Sequence, residues 1–109
     1  MQIKTDTHAD DRWLILIVSG TIDAETAPQL QSAAEQHLAE GRSHLAIDLG
    51  DVNYVSSAGL RVLLLLLRAI TKQSGQMSLI NPHPNVREVL DISGLSQLFK
   101  LVADRSQLG

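Results

Sequence analysis

Two adjacent hydroxyls, Ser56 and Ser57, stand where a strand-like run gives way to an apolar helical stretch. The segment reads Ile47-Asp48-Leu49-Gly50-Asp51-Val52-Asn53-Tyr54-Val55-Ser56-Ser57-Ala58-Gly59-Leu60 and continues into Arg61-Val62-Leu63-Leu64-Leu65-Leu66-Leu67-Arg68. It spells a buried strand, a polar loop, two serines and then a helix. At a helix mouth, free backbone N–H groups and the positive end of the dipole favour an anion. No side-chain base, thiol or glycine-rich cradle lies beside the pair in sequence. A serine so placed is expected to receive a phosphate from another protein, making the domain a switch and not an enzyme.

The remaining reactive residues narrow the chemistry further. His8, His37, His44 and His83 are scattered, with no carboxylate or second histidine at metal-ligand spacing, so no metal is expected. The chain has no cysteine, which excludes disulfides and thiolate chemistry. A formal net charge of -3 without a long basic run argues against nucleic acid as a partner. No Walker-type loop with its lysine is present, which weighs against a nucleotide-hydrolysing protein. The N-terminal residues Met1–Asp6 lack a signal-peptide pattern. The longest apolar run, Val62–Leu67, is six residues against the ~20 that span a bilayer. A soluble, cytoplasmic protein that avoids the membrane is therefore expected.

The elements that must position the serines follow from patterning. Ile3–Thr7 reads as an edge strand. Trp13–Val18 is continuously apolar and suits a strand buried on both faces, ended by Gly20. A helix begins near Thr26, where Thr26 and Gln29 have capping-box spacing and Pro28 fits the first turn. Leu30, Ala33, Ala34, His37 and Leu38 form its core stripe, and Gly41 is the expected stop. His44–Leu49 is a third strand, followed by the serine loop and a helix over 58–74. Gln76–Ile80 is a fourth strand. Pro84 opens a helix over 84–93 that carries Val86, Val89 and Leu90, and Leu98–Val102 is the last strand. Asp104–Gly109 forms a terminal turn or frays.

Strand and helix alternate, so the chain is expected to be one α/β domain over residues 1–109, a mixed central sheet with helices packed on it. Parallel crossovers should be right-handed. At 109 residues the chain is near the modal domain size. Hydrophobic residues make up 44 % and aromatics 3 %, so the core must be aliphatic.

Three segments in this order resemble the STAS domain family, and within it the bacterial anti-sigma factor antagonists. Gly20-Thr21-Ile22-Asp23, with Thr26 following, is similar to the family's Gly-x-Leu/Ile-Asp turn. Asp48-Leu49 through Ser57-Ala58-Gly59-Leu60 resembles its phosphorylation loop. Val86-Arg87-Glu88-Val89-Leu90-Asp91-Ile92-Ser93-Gly94-Leu95 is similar to its third helix and exit. The resemblance implies a STAS-like fold and an acceptor serine two positions before the Gly-Leu pair, which here is Ser57, with Ser56 as second choice. Ser56 stands where the pattern often has Asp, and Ala58 where it often has Ser or Thr. It also implies a partner that is both anti-sigma factor and serine kinase, a serine phosphatase that reverses the modification, and no cofactor of the chain's own, since the partner kinase supplies ATP. The alternative within the family is a STAS subunit of a lipid-transport ABC complex, in which no phosphate moves.

Around the acceptor, Asp23, Ser56, Ala58, Gly59, Arg61 and Leu65 are expected to form the partner-binding surface. Either serine also suits a plain N-cap, and a capping role is compatible with phosphorylation. Asp23 is either a turn-former bonding its own backbone or a contact near the acceptor. Arg61, Leu65, Arg68 and Lys72 share one helical stripe, so Leu65 should face outward, as a partner contact or as a surface leucine partly covered by arginine stems. The inward stripe should hold Leu63, Leu67 and Ile70, completed by Leu60 or Leu64.

Overall fold

Strands that lie side by side in chain order, joined by right-handed crossovers, put every connecting helix on the same face of the sheet. In the computed structural model, which describes residues 1–109, all three helices pack on one face of such a sheet. Strands β1 (Gln2–His8) and β2 (Trp13–Ile22) are followed by α1 (Ala27–Ala39), β3 (His44–Val55), α2 (Ser57–Lys72), β4 (Gln76–Ile80), α3 (Pro84–Ile92) and β5 (Lys100–Val102). Short 3-10 turns occupy Leu95–Gln97 and Arg105–Gln107. The sheet order is β1-β2-β3-β4-β5. Strand β1 runs antiparallel to β2, and the remaining pairs are parallel. The mixed-sheet α/β architecture expected from the sequence is the one observed.

Alternation along the strands divides the apolar residues between two faces. Leu14, Leu16, Val18, Leu45, Ile47, Leu49, Met77 and Leu79 meet the buried stripes of the three helices in the main core. Their neighbours Trp13, Ile15, Ala46, Ile80 and Val102 make a smaller core on the opposite face, closed by Leu108. The unbroken run of β2 is thus buried on both sides, under helices on one and under the C-terminal turn on the other. That turn is tied down. The Trp13 indole N–H donates to the Gly109 carbonyl at 3.1 Å, and Arg105 pairs with Asp6 at 2.9 Å.

Three boundaries and one helix face depart from the sequence reading. Strand β2 does not stop before Gly20 but runs to Ile22. Gly20 has φ +100° and lies at an irregularity in the β2–β3 register, so it relieves a bulge instead of ending the strand. Strand β3 extends to Val55, because Asp51, Val52, Tyr54 and Val55 pair with Ser19, Gly20, Thr21 and Ile22; the expected polar loop is strand. The last strand is only Lys100–Val102, since Leu98 closes a 3-10 turn and Phe99 turns into the core. Finally, α2 buries Val62, Leu63, Leu66 and Ile70, while Leu60, Leu64 and Leu67 are half-buried. The helix packs against α1 as well as the sheet, which widens its buried arc beyond the expected stripe.

Candidate functional site

Beyond Ser19 on β2 and Asp48 on β3, neither outer strand continues to pair: β1 ends opposite Ser19 and β4 opposite Asp48. Gly20–Ile22 and Val52–Val55 therefore project from the sheet as a two-stranded ribbon. The loop after Ile22 and the start of α2 both leave from its tip. One hydrogen bond locks them together, from the Ser56 N–H to the Ile22 carbonyl at 2.9 Å.

The two serines then divide the work. Ser56 is the N-cap of α2: its backbone is extended (φ -81°, ψ 175°) and its hydroxyl oxygen accepts from the Gly59 N–H at 3.3 Å. Its carbonyl accepts from the Leu60 N–H at 2.9 Å, the first bond of the helix. Ser57 is the first helical residue and is exposed, so its hydroxyl stands at the positive end of the dipole with no structural bond to keep.

Gly59 is needed for the close approach of helix and ribbon. A Cβ built there would lie 2.7 Å from the Ile22 carbonyl oxygen and 2.8 Å from Val55 Cγ1, distances no side chain tolerates. Gly59, expected as part of the contact surface, is buried at this close approach. Ala58 is half-buried beside it. Arg61 is exposed one turn from Ser57, and Leu65, a turn further, is 37 % exposed. Arg61, Arg68 and Lys72 make no ion pair with any carboxylate of the chain.

Asp23 is half-buried and folds back on its own loop. Its Oδ1 accepts from the N–H groups of Glu25 at 2.9 Å and Thr26 at 3.0 Å. These bonds, that of Thr26 foremost, hold the carboxyl below the ordinary carboxylate range. The expected Thr26–Gln29 capping box is absent, because Thr26 adopts helical dihedrals and its side chain caps nothing. Its hydroxyl instead donates to the Thr21 carbonyl at 2.7 Å and accepts from the Asp23 N–H at 2.9 Å, closing the 21–26 loop. The ribbon contact puts this loop next to the serine pair.

Tyr54, which patterning alone left inside a polar loop, stands 54 % exposed on the same ribbon. The signal for it was compositional: the chain has three aromatics, of which Trp13 and Phe99 fill the cores. An exposed tyrosine two residues before the serine pair is the residue type enriched at protein interfaces.

No group of histidines, cysteines or carboxylates is arranged to hold a metal, and no helix is long and apolar enough to cross a membrane. The ribbon tip brings together a free hydroxyl at a helix N-terminus, an exposed aromatic and, one helical turn on, the unpaired Arg61. BtrV of Bordetella bronchiseptica, a candidate anti-sigma factor antagonist by name, is 35 % identical over 95 residues, spanning 87 % of this chain and 82 % of BtrV. The anti-sigma-B factor antagonist of Bacillus subtilis is 31 % identical over 103 residues, 94 % of either chain. SpoIIAA of Bacillus has the same fold, solved both without phosphate (TM-score 0.82, 19 % identity, covering 97 % of this chain and 91 % of that one) and phosphorylated (TM-score 0.76, 18 % identity, covering 97 % and 95 %). Residues 2–108 match the STAS domain, and the chain belongs to the STAS domain family.

Proposed function

We propose that this protein is an anti-sigma factor antagonist whose Ser57 is phosphorylated by the anti-sigma factor it binds. The observation that carries the proposal is the division of labour at the mouth of α2. Ser56 is half-buried and spends its oxygen on the cap, whereas Ser57 is exposed and unbonded. A kinase can therefore reach Ser57 without opening the helix, and the fold survives the modification. The names of the relatives from Bordetella and Bacillus, and the existence of SpoIIAA in two phosphorylation states, support the same reading.

The mechanism follows from charge. Unmodified, the ribbon tip presents Tyr54, Ser57, Arg61 and Leu65 to the partner. Phosphate adds about -1.5 to -2 charges at Ser57. It lies one helical turn from Arg61, whose cation it neutralises, and it repels acidic or phosphate groups across the interface. Binding weakens, the anti-sigma factor is released, and a serine phosphatase restores the antagonist. ATP is used by the partner and not by this chain.

Incubation with the cognate kinase and ATP, followed by phosphopeptide mapping, tests the assignment. The wild-type chain and Ser56→Ala should carry phosphate at Ser57, and Ser57→Ala should carry none. Absence of phosphate from both serines, together with a partner affinity indifferent to Ser57→Asp, would return the chain to the transporter-subunit alternative.

A further inference from the structure

Away from Ser57, the outer side of α2 runs into a groove that the proposed switch does not use. It is lined by Leu64, Leu67, Arg68, Thr71 and Lys72 of α2 and by Leu98 from the turn after α3, and its volume is about 460 Å³. Leu98 is 57 % exposed, while the next residue, Phe99, is buried in the main core. Phe99 anchors the turn, so Leu98 is held outside. No packing need of this chain accounts for a large apolar side chain there.

The lining does not suit a small ligand, which needs converging polar groups to orient it. Thr71 already donates its hydroxyl to the Leu67 carbonyl at 2.8 Å, and Arg68 and Lys72 are exposed. It does suit a helix. Leu64, Leu67, Arg68 and Thr71 recur at i, i+3, i+4 and i+7, the spacing that forms ridges and grooves for a second helix to pack into.

Charge selects the kind of helix. The chain carries 12 acidic residues against nine Lys and Arg, yet Ser57–Lys72 holds three of those cations and no carboxylate. Leu95–Phe99 adds no acid on the opposite wall. None of Arg61, Arg68 and Lys72 is paired within the chain. An otherwise acidic protein therefore offers a purely cationic rim around an apolar floor, which discourages self-association through like parts and attracts a negatively charged partner.

We propose that this groove docks an amphipathic helix of a partner protein, with an apolar face flanked by Asp or Glu. Arg68 lies eleven residues from Ser57, about 16 Å along the helix, beyond a Debye length of about 8 Å. The groove is therefore a second surface, which does not rest on the role of Ser57 and keeps its affinity when that position gains charge.

The experiment uses two fluorescently labelled helical peptides with the same leucine face, one flanked by Glu and one by Lys, titrated against the full chain by fluorescence anisotropy. The Glu peptide should bind, weaken with added salt, and shift the amide resonances of Leu64, Leu67, Arg68, Thr71 and Leu98. Arg68→Glu and Leu98→Asp, both at exposed positions, should each lower its affinity by about tenfold or more at an unchanged urea midpoint, whereas Ser57→Asp should leave it within about twofold. The Lys peptide should bind at least about tenfold more weakly. Equal binding of both peptides, binding of neither, or indifference to both groove variants would overturn the proposal. So would a dimer of the unliganded protein, seen by sedimentation and dissolved by Leu98→Asp, which would give the groove to a second copy of the chain.

Discussion

The backbone N–H of Ser56 donates to the carbonyl of Ile22 at 2.9 Å, joining residues 34 positions apart in sequence where strand ends and helix begins. This single bond ties the Asp23 loop to the mouth of α2. It also fixes which serine is the structural one, because the residue making it must be extended to hand the chain into the helix. Ser56 is that residue, and Ser57 is left free.

The first prediction separates the two serines by stability. Ser56→Ala removes the oxygen that accepts from Gly59 N–H and should cost about 1 kcal/mol, as loss of an N-cap does. Ser57→Ala removes an exposed hydroxyl with no bond and should stay within about 0.5 kcal/mol of wild type. Urea denaturation of the two variants distinguishes them. A larger loss for Ser57→Ala would mean the capping assignment is reversed.

A second prediction concerns Gly59, where two effects compete. Alanine is the better helix former by about 1 kcal/mol. Its Cβ, however, would sit 2.7 Å from the Ile22 carbonyl oxygen, a backbone atom that cannot swing aside. Overpacking of this kind costs about 1–3 kcal/mol and outweighs the propensity. Gly59→Ala should therefore be destabilised, with the Ser56 and Ile22 amide resonances displaced. A stabilised variant would contradict the close approach of helix and ribbon.

Helix α2 supplies the third. Leu63 is fully buried in the main core, and Leu63→Ala should cost about 2–5 kcal/mol. Leu65 lies 37 % exposed outside that core and should cost far less on truncation. Similar urea midpoints for the two variants would refute this facing.

Asp23 gives the pH dependence. The Thr26 N–H, and after it the Glu25 N–H, hold its carboxyl below the ordinary value of about 3.9. A depressed folded pKa means that the stabilisation is fully present above the ordinary value and is lost as pH falls through the lower, folded one. The Thr26 amide proton should report this directly, with a titration midpoint below about 3.9 in the wild type and no such step in Asp23→Asn, whose amide oxygen can keep the turn. A midpoint at or above the ordinary value would show that the turn does not hold the carboxylate.

The order of elements was legible in the sequence because periodicity marks them independently: β-branched alternation and runs for the strands, three-and-four spacing for the helices. What misled was local punctuation. Gly20 read as a strand end and the residues after Leu49 as a polar loop, yet they lie within β2 and β3, because pairing between the two strands overrode weak propensity and a bulge absorbed the positive φ of Gly20. Thr26 has the right spacing for a capping box but is drawn back onto Thr21 and Asp23 by the shorter loop contacts. The serine pair itself was legible as a helix mouth. Which serine caps and which is free depends on the bond to Ile22, and such a long-range contact leaves no local pattern. Tyr54 was hidden by the same error, since its exposure follows from the ribbon that the loop assignment removed.

The central claim is that phosphate on Ser57 weakens binding to the anti-sigma factor, and calorimetric titration of that partner with the chain in both forms tests it most directly. Phosphate adds close to two negative charges beside Arg61. The unmodified chain should therefore bind at least about tenfold more tightly than the chain phosphorylated at Ser57, a difference of about 1.4 kcal/mol. Ser57→Ala should match the unmodified protein even after incubation with kinase and ATP. Equal affinities for the phosphorylated and unmodified chains would contradict the account.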